Sequence, residues 1–165
     1  MSTSRTLNAG AVMLVRQRGS SRELFWVQRS REVSLGGGFY AFPGGRSDLA
    51  DLELAASLGL EGVEGALRVT AARELFEETG VLLATPTPPR DQLTSFRKAL
   101  LEESKSFAEI LDAAQATLKL ASLLEAGRWL TPPFLPTRFD TRFFVAEMPA
   151  DQVAEIWPGE LAGGE

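Results

Sequence analysis

The stretch from residue 63 to residue 79 constrains this chain more than any other. It holds no proline and one glycine, Gly65, and it runs directly into Gly80. Leu67, Ala71 and Leu75 recur at helical spacing, which predicts a long helix that Gly80 ends in the left-handed conformation glycine adopts at little cost. Within that helix Glu74, Glu77 and Glu78 stand at i, i+3 and i+4, a spacing that gathers three carboxylates on one face. Their mutual repulsion is unfavourable unless a cation offsets it. Mg²⁺ or Mn²⁺ is the hard, oxygen-preferring ion that suits such a set, and it can also take oxygens from a substrate phosphate. A diphosphate is therefore the expected substrate group. The competing reading is a solvated acidic helix face, since glutamate is a good helix former.

Composition narrows the chemistry further. The 165 residues include neither cysteine nor histidine, which excludes disulfides, thiolate nucleophiles, imidazole bases, Ser/His/Asp triads and zinc or haem sites built on those residues. Carboxylates, Lys, Arg, Tyr or hydroxyls must do the work. The length suits a single domain over residues 1–165. A net charge of −5 argues against stable nucleic-acid binding, and with no apolar run of membrane-spanning length the expectation is no membrane association and a cytoplasmic protein. The charge is uneven: residues 1–50 carry +4 and residues 51–165 carry −9. This suggests an anionic ligand held beside an acidic, metal-binding stretch.

Along the chain, residues 7–15 read as a strand and residues 23–29 as its returning partner, with a further short strand at Tyr40–Phe42. Glycines break the chain at Gly36 to Gly38 and at Gly44 and Gly45. Ser47 or Asp48 is expected to cap a short helix ended by Gly59. After the long helix, VLLA reads as the start of a buried strand, residues 91–125 as one or two helices, Trp129–Thr131 as a short strand and TRFFVAEM as a strand of about six residues. The final segment offers no closing element.

The string Arg73-Glu74-Leu75-Phe76-Glu77-Glu78-Thr79-Gly80-Val81, preceded by Phe42-Pro43-Gly44-Gly45, resembles the Nudix hydrolase family. It matches the second half of the Nudix box, Arg-Glu-hydrophobic-x-Glu-Glu-x-Gly-hydrophobic, at every specified position. The resemblance implies an α/β fold, an α/β/α sandwich around a mixed sheet. It also implies divalent-metal-dependent hydrolysis, with Glu74, Glu77 and Glu78 as metal ligands and Arg73 orienting them through a salt bridge. The family's compact box reads Gly-x5-Glu-x7-Arg-Glu. Here Gly45 lies 28 positions before Arg73 instead of 14, and Gly65 stands where the brace for Arg73 is expected. An insertion of about fourteen residues between the Gly-rich loop and the catalytic helix follows, with Glu61 or Glu64 as the replacement brace. The insertion, together with Trp129-Leu130-Thr131-Pro132 and Arg138-Phe139-Asp140-Thr141-Arg142-Phe143-Phe144, is similar to the subgroup of coenzyme A diphosphatase-like members typified by the peroxisomal Nudix protein 19.

Metal ions would neutralise the diphosphate and activate water, and a carboxylate, Glu77 or Glu78, would take the proton. Arg29 and Arg46 flank the loop that holds Gly44 and Gly45, and these four are the candidate ligand-binding residues, because a guanidinium grips phosphate through two parallel hydrogen bonds. Trp26, Phe39, Tyr40, Phe42 and Trp129 are either adenine-stacking or core residues. The substrate expected is a small-molecule nucleoside diphosphate derivative, CoA or an acyl-CoA. The alternatives are ADP-ribose, a nucleotide sugar or a dinucleotide, or else a weakly active Nudix domain that binds a ligand or partner. The subgroup usually continues past PGEL, so a homodimer or a completing partner segment is also expected.

Overall fold

The computed structural model describes residues 6–31, 37–135, 137–157 and 161–165. Strand β1 (Thr6–Arg18) is its axis. A parallel ladder of ten residue pairs joins β1 to β9 (Arg138–Glu147), from Thr6 opposite Arg138 to Val15 opposite Glu147. The other edge of β1 takes β5 (Gly44–Arg46) along its first half and β2 (Ser21–Leu24) along its second, both antiparallel. β8 (Leu124–Leu130) adds antiparallel to β9 and completes a five-stranded mixed sheet. A second sheet orders β10 (Leu161–Gly164), β3 (Val27–Arg29) and β4 (Tyr40–Ala41), and a two-stranded ladder joins β6 (Ala84–Thr85) to β7 (Thr117–Leu118).

Alternation along β1 divides its two faces. Val12 and Leu14, both buried, face α2 (Gly62–Thr79), while Ala9 and Ala11 face the other way into a cleft. Gly10 lets helix and strand approach closely, since a Cβ there would lie 2.5 Å from the Leu67 carbonyl oxygen. Helix α2 is buried on most of its circumference. The sheet covers one side, and α1 (Leu49–Ser57), α3 (Arg90–Leu101) and α4 (Phe107–Ala114) cover the rest, with Phe76 and Phe107 rings 6.3 Å apart. Gly80 closes α2 at φ 74°, as its position predicts. This is the expected α/β architecture with helices against a mixed sheet. Among the described residues no helix is long and apolar enough to cross a membrane.

Several expectations need correction. The returning strand at residues 23–29 is two strands in two sheets, parted at Phe25 and Trp26. Phe25 N–H still bonds the Leu14 carbonyl, but Trp26 N–H bonds the Glu165 carbonyl. The helical pattern of residues 91–125 stops at Ala114, where Gln115 turns left-handed (φ 50°). Beyond it Leu120 and Leu123 are buried in a short 3₁₀ turn, and Leu124 enters the sheet. VLLA is buried as expected, yet only Ala84 pairs as strand. The last segment does close on the fold, because β10 pairs antiparallel with β3. The break at Gly36 lies outside the described residues, whereas Gly38 turns at φ 81°.

Candidate active site

The insertion between the Gly-rich loop and the catalytic helix is α1 with the turn that follows it. Asp48 caps α1 by accepting from the Asp51 N–H at 2.9 Å, and Asp51 returns the bond from the Asp48 N–H. The same Asp51 carboxylate, 2% exposed, is the brace that Arg73 needs. Arg73 Nε donates to Asp51 Oδ1 at 2.8 Å and Nη2 to Oδ2 at 2.9 Å, a two-bond fork that fits guanidinium geometry. Thr70 Oγ1 donates to Asp51 Oδ2 at 2.8 Å. Neither expected brace has this role. Glu61 is an exposed N-cap of α2, and Glu64 pairs with Arg142 at 3.2 Å. The signal for Asp51 was present in the sequence. Counting forward from Gly45, five residues intervene before Asp51, so an acid stands at the box position and the extra residues lie between it and Arg73.

Arg73 organises the rest of the site. Its Nη1 donates to Glu74 Oε1 at 3.0 Å and to both Glu77 oxygens at 3.1 Å, and its Nη2 also reaches the Arg46 carbonyl at 3.1 Å. Burial alone would pull the guanidinium pKa down, but the Asp51 hydrogen bonds and the charges of Glu74 and Glu77 outweigh it and hold the pKa above its ordinary value. One cation thus serves three carboxylates. Burial pushes the Glu74 carboxyl up to about 7, opposed by Arg73 and reinforced by Glu77. Burial likewise raises Glu77, again opposed by Arg73. Excess negative charge confined beside low-dielectric walls is the condition under which a divalent cation binds favourably.

The three glutamates do not share one face equally. At roughly 100° per residue, Glu78 lies about 40° to one side of Glu74 and Glu77 about 60° to the other. Glu74 and Glu78 therefore line the cleft, while Glu77 faces α1 in a second cavity with Asp48, Asp51 and Arg73. Among the described residues no three acidic side chains stand together as a ready-made metal cage. The cleft, of about 660 Å³, brings Glu74 and Glu78 together with Arg29, Gly44, Gly45 and Arg46. Gly44 N–H donates to Glu78 Oε2 at 3.0 Å. Trp26 stacks on Phe42 at 4.3 Å and Phe42 meets Phe143 edge-on, which gives the cleft an aromatic wall. Arg29 Nε is buried and has no hydrogen-bond acceptor among the described residues. Trp129 lies exposed on β8, and Phe39 is exposed as well. Asp140 pairs with Arg128 and not with Arg138, whose Nε bonds the Thr131 carbonyl at 3.0 Å.

Two outcomes follow from this geometry. A Cβ on Gly45 would collide with the Glu74 carboxylate, so Gly45→Ala is expected to displace that carboxylate and to weaken divalent-cation binding, with Mn²⁺ as the probe, about tenfold. Titration calorimetry checks it, and unchanged affinity would show that Glu74 does not need this space. The raised Glu74 pKa also sets a pH dependence. The folded state holds a proton that the unfolded state has released between pH 4.5 and 7, so stability falls as pH rises through that window. For metal-free protein the Glu74 contribution is about 3 kcal/mol. Urea unfolding across pH should show Glu74→Gln flattening the slope, and an unaltered slope would reject the assignment.

Residues 61–156 match the family model described as the NUDT19 Nudix domain, more than half of the chain. Over 164 residues the chain is 25% identical to the Caenorhabditis elegans protein named Putative nudix hydrolase 7, covering 97% of this chain and 50% of that protein. Over 96 residues it is 33% identical to human acyl-coenzyme A diphosphatase NUDT19, covering 48% of this chain and 26% of that protein. The chain thus spans half or less of the length of these curated relatives. Among solved structures it is similar to a NUDIX hydrolase from Alicyclobacillus acidocaldarius, with a TM-score of 0.85, 28% identity, and coverage of 99% of this chain and 79% of that one. The NUDIX domain of Shewanella oneidensis NrtR, solved with ADP ribose, shares the fold at a TM-score of 0.54 and 15% identity, over 99% of this chain and 73% of that one. With Asp51, Glu74 and Glu77 gathered around Arg73 and residues 61–156 matching the NUDT19 Nudix domain, the chain belongs to the Nudix family as a NUDT19-like member.

Proposed function

We propose that this Nudix domain hydrolyses the diphosphate bond of a nucleoside diphosphate derivative, CoA or an acyl-CoA, with a divalent cation, Mg²⁺ or Mn²⁺. The observation that carries the reading is the cleft itself. Its lining brings together Glu74 and Glu78, Arg29, whose buried Nε meets no acceptor among the described residues, and the Trp26 and Phe42 stack. A metal-supporting acid pair, a cation for phosphate and a flat apolar surface for a base are what such a substrate requires. The acyl-coenzyme A diphosphatase name of two NUDT19 relatives supports the choice within that class.

The donor set fits the cation. Glu74 and Glu78 would hold it from the cleft with carboxylate oxygens, Glu77 would join them by turning from Arg73, and Gly45, lacking a side chain, leaves the Glu74 carboxylate its room. When bound, the cation supplies charge neutralisation at the diphosphate and activates water. The chain's own residues do the remainder. Arg73, fixed by Asp51, sets the directions of Glu74 and Glu77. Arg29 and Arg46 orient the phosphates, and Glu74 or Glu78, which face the cleft, takes the proton from water. Glu77 is the weaker choice of base, because both its oxygens accept from Arg73 on the α1 side. Asp51 supplies the brace whose apparent loss at Gly65 is one motive for the reading of a weakened, binding-only domain.

Incubating the protein with CoA, an acyl-CoA, ADP-ribose and a nucleotide sugar side by side, each with Mg²⁺ or Mn²⁺, tests the assignment. CoA-type substrates are expected to give the highest kcat/KM. Preference for ADP-ribose or a nucleotide sugar would move the substrate, and turnover of none would sink the reading.

A further inference from the structure

The last turn of α2 carries Glu77 and Glu78, and the final carbonyls of any helix lack partners within it. Here they are met from outside the helix. Gly80 N–H bonds the Phe76 carbonyl at 2.9 Å, and Glu155 N–H bonds the Thr79 carbonyl at 2.8 Å. The Glu77 carbonyl is met by a side chain: Arg97 Nε of α3 donates to it at 2.8 Å. Arg97 is 5% exposed. Its Nη1 donates to the Glu155 carbonyl at 2.7 Å, the Trp157 ring lies over its guanidinium at 5.5 Å, and a Cβ on Gly80 would stand 3.3 Å from Nη1. Gln152 anchors the same C-terminal segment through paired bonds to the Leu82 backbone at 2.8 and 2.9 Å.

A buried guanidinium is costly to desolvate, and a methionine would fill similar volume without that cost, so packing alone does not account for it. Its position does. The negative end of the α2 dipole lies at this turn, and a cation there is stabilising. We propose that Arg97 is a positioning residue for the metal-binding carboxylates. By holding the Glu77 carbonyl and, through the Glu155 carbonyl, the segment that meets the Thr79 carbonyl, it fixes the last turn of α2 in the orientation from which Glu77 and Glu78 meet a divalent cation. Arg97 touches neither substrate nor cation. The inference rests on the metal-dependent reading given above.

The test compares Arg97→Met with Arg68→Met. Arg68 also rises from α2 to meet backbone carbonyls, donating to Leu123 at 2.6 Å, but it does so far from the carboxylate turn. The measurements on the full chain are Mn²⁺ affinity by electron paramagnetic resonance, kcat and KM on the best diphosphate substrate, and thermal unfolding. Arg97→Met is expected to weaken Mn²⁺ binding about tenfold and to lower kcat by a similar factor with KM nearly unchanged. Arg68→Met should lose stability and keep its Mn²⁺ affinity. Arg97→Lys keeps the charge with one less bond, so it should recover part of the loss, and it carries the comparison if Arg97→Met does not fold. Unchanged Mn²⁺ affinity and kcat in both Arg97 variants would overturn the proposal. A wild-type protein that neither binds Mn²⁺ nor turns over any diphosphate would instead overturn the functional reading beneath it.

Discussion

Glu74→Gln and Glu78→Gln are each expected to lower turnover of a CoA-type diphosphate by about a thousandfold, while leaving a folded protein. Both side chains line the cleft that holds Arg29 and the Gly44-Gly45 turn. A carboxamide keeps the shape and one acceptor oxygen but removes the charge. Charge stabilisation by a bound cation contributes several kcal/mol at the transition state, and each 1.4 kcal/mol is about tenfold in rate. Glu77→Gln is expected to fall with them, as the third ligand in the proposed reading. Its loss should be felt in Mn²⁺ affinity as much as in kcat, because its oxygens face Arg73 and α1. Steady-state kinetics across Mn²⁺ concentration separates the two effects. Near wild-type turnover in either cleft variant at saturating Mn²⁺ would remove that residue from the catalytic set.

Asp51→Ala is the second large effect, and it falls on stability as well as activity. The change strips Arg73 of its fork at 2.8 and 2.9 Å and leaves Nε and Nη2 facing a space from which water is largely excluded. Breaking a buried pair by removing one partner typically costs about 3–5 kcal/mol when the remaining charge is uncompensated, and the Glu74 and Glu77 pairs left on Arg73 put this loss at about the lower end of that range. The capping box of α1 is lost in the same step, since Asp51 accepts from the Asp48 N–H. Arg73 would then be held mainly by Glu74 and Glu77, and their directions would change with it. Activity should fall about ten- to a hundredfold beyond the stability loss, as for partners that orient metal ligands. Asp51→Glu, restoring the acid, should recover activity better than Asp51→Asn. Urea unfolding and kinetics on the same preparations check this, and a stable, fully active Asp51→Ala protein would show that Arg73 needs no brace.

What could be read from the chain divides by the range of the interactions that decide it. The catalytic helix and its Gly80 cap are local, so spacing of Leu67, Ala71 and Leu75 was enough. The cleft residues Arg29, Gly44, Gly45 and Arg46 were also recoverable, because they flank or form one glycine-rich turn. Asp51 was legible only by counting from Gly45, since the extra residues fall after it, and counting back from Arg73 lands on Gly65. The split of Glu77 from Glu74 and Glu78 depends on which neighbour each side of α2 meets. The break at Phe25 and Trp26, the end of the helical pattern at Ala114 and the pairing of β10 with β3 are decided by partners distant in sequence. Arg97 belongs to this group. Its spacing on α3 reads as an ordinary helical arginine, and only the docking of residues 151–157 buries it.

Hydrolysis of CoA in heavy-oxygen water, with Mn²⁺ or with EDTA and read by mass spectrometry of the products, tests metal-dependent diphosphate cleavage most directly. One heavy oxygen is expected in one of the two phosphate-bearing products with Mn²⁺, and no product with EDTA. Equal product in EDTA, or heavy oxygen at a position other than the cleaved diphosphate, would contradict it.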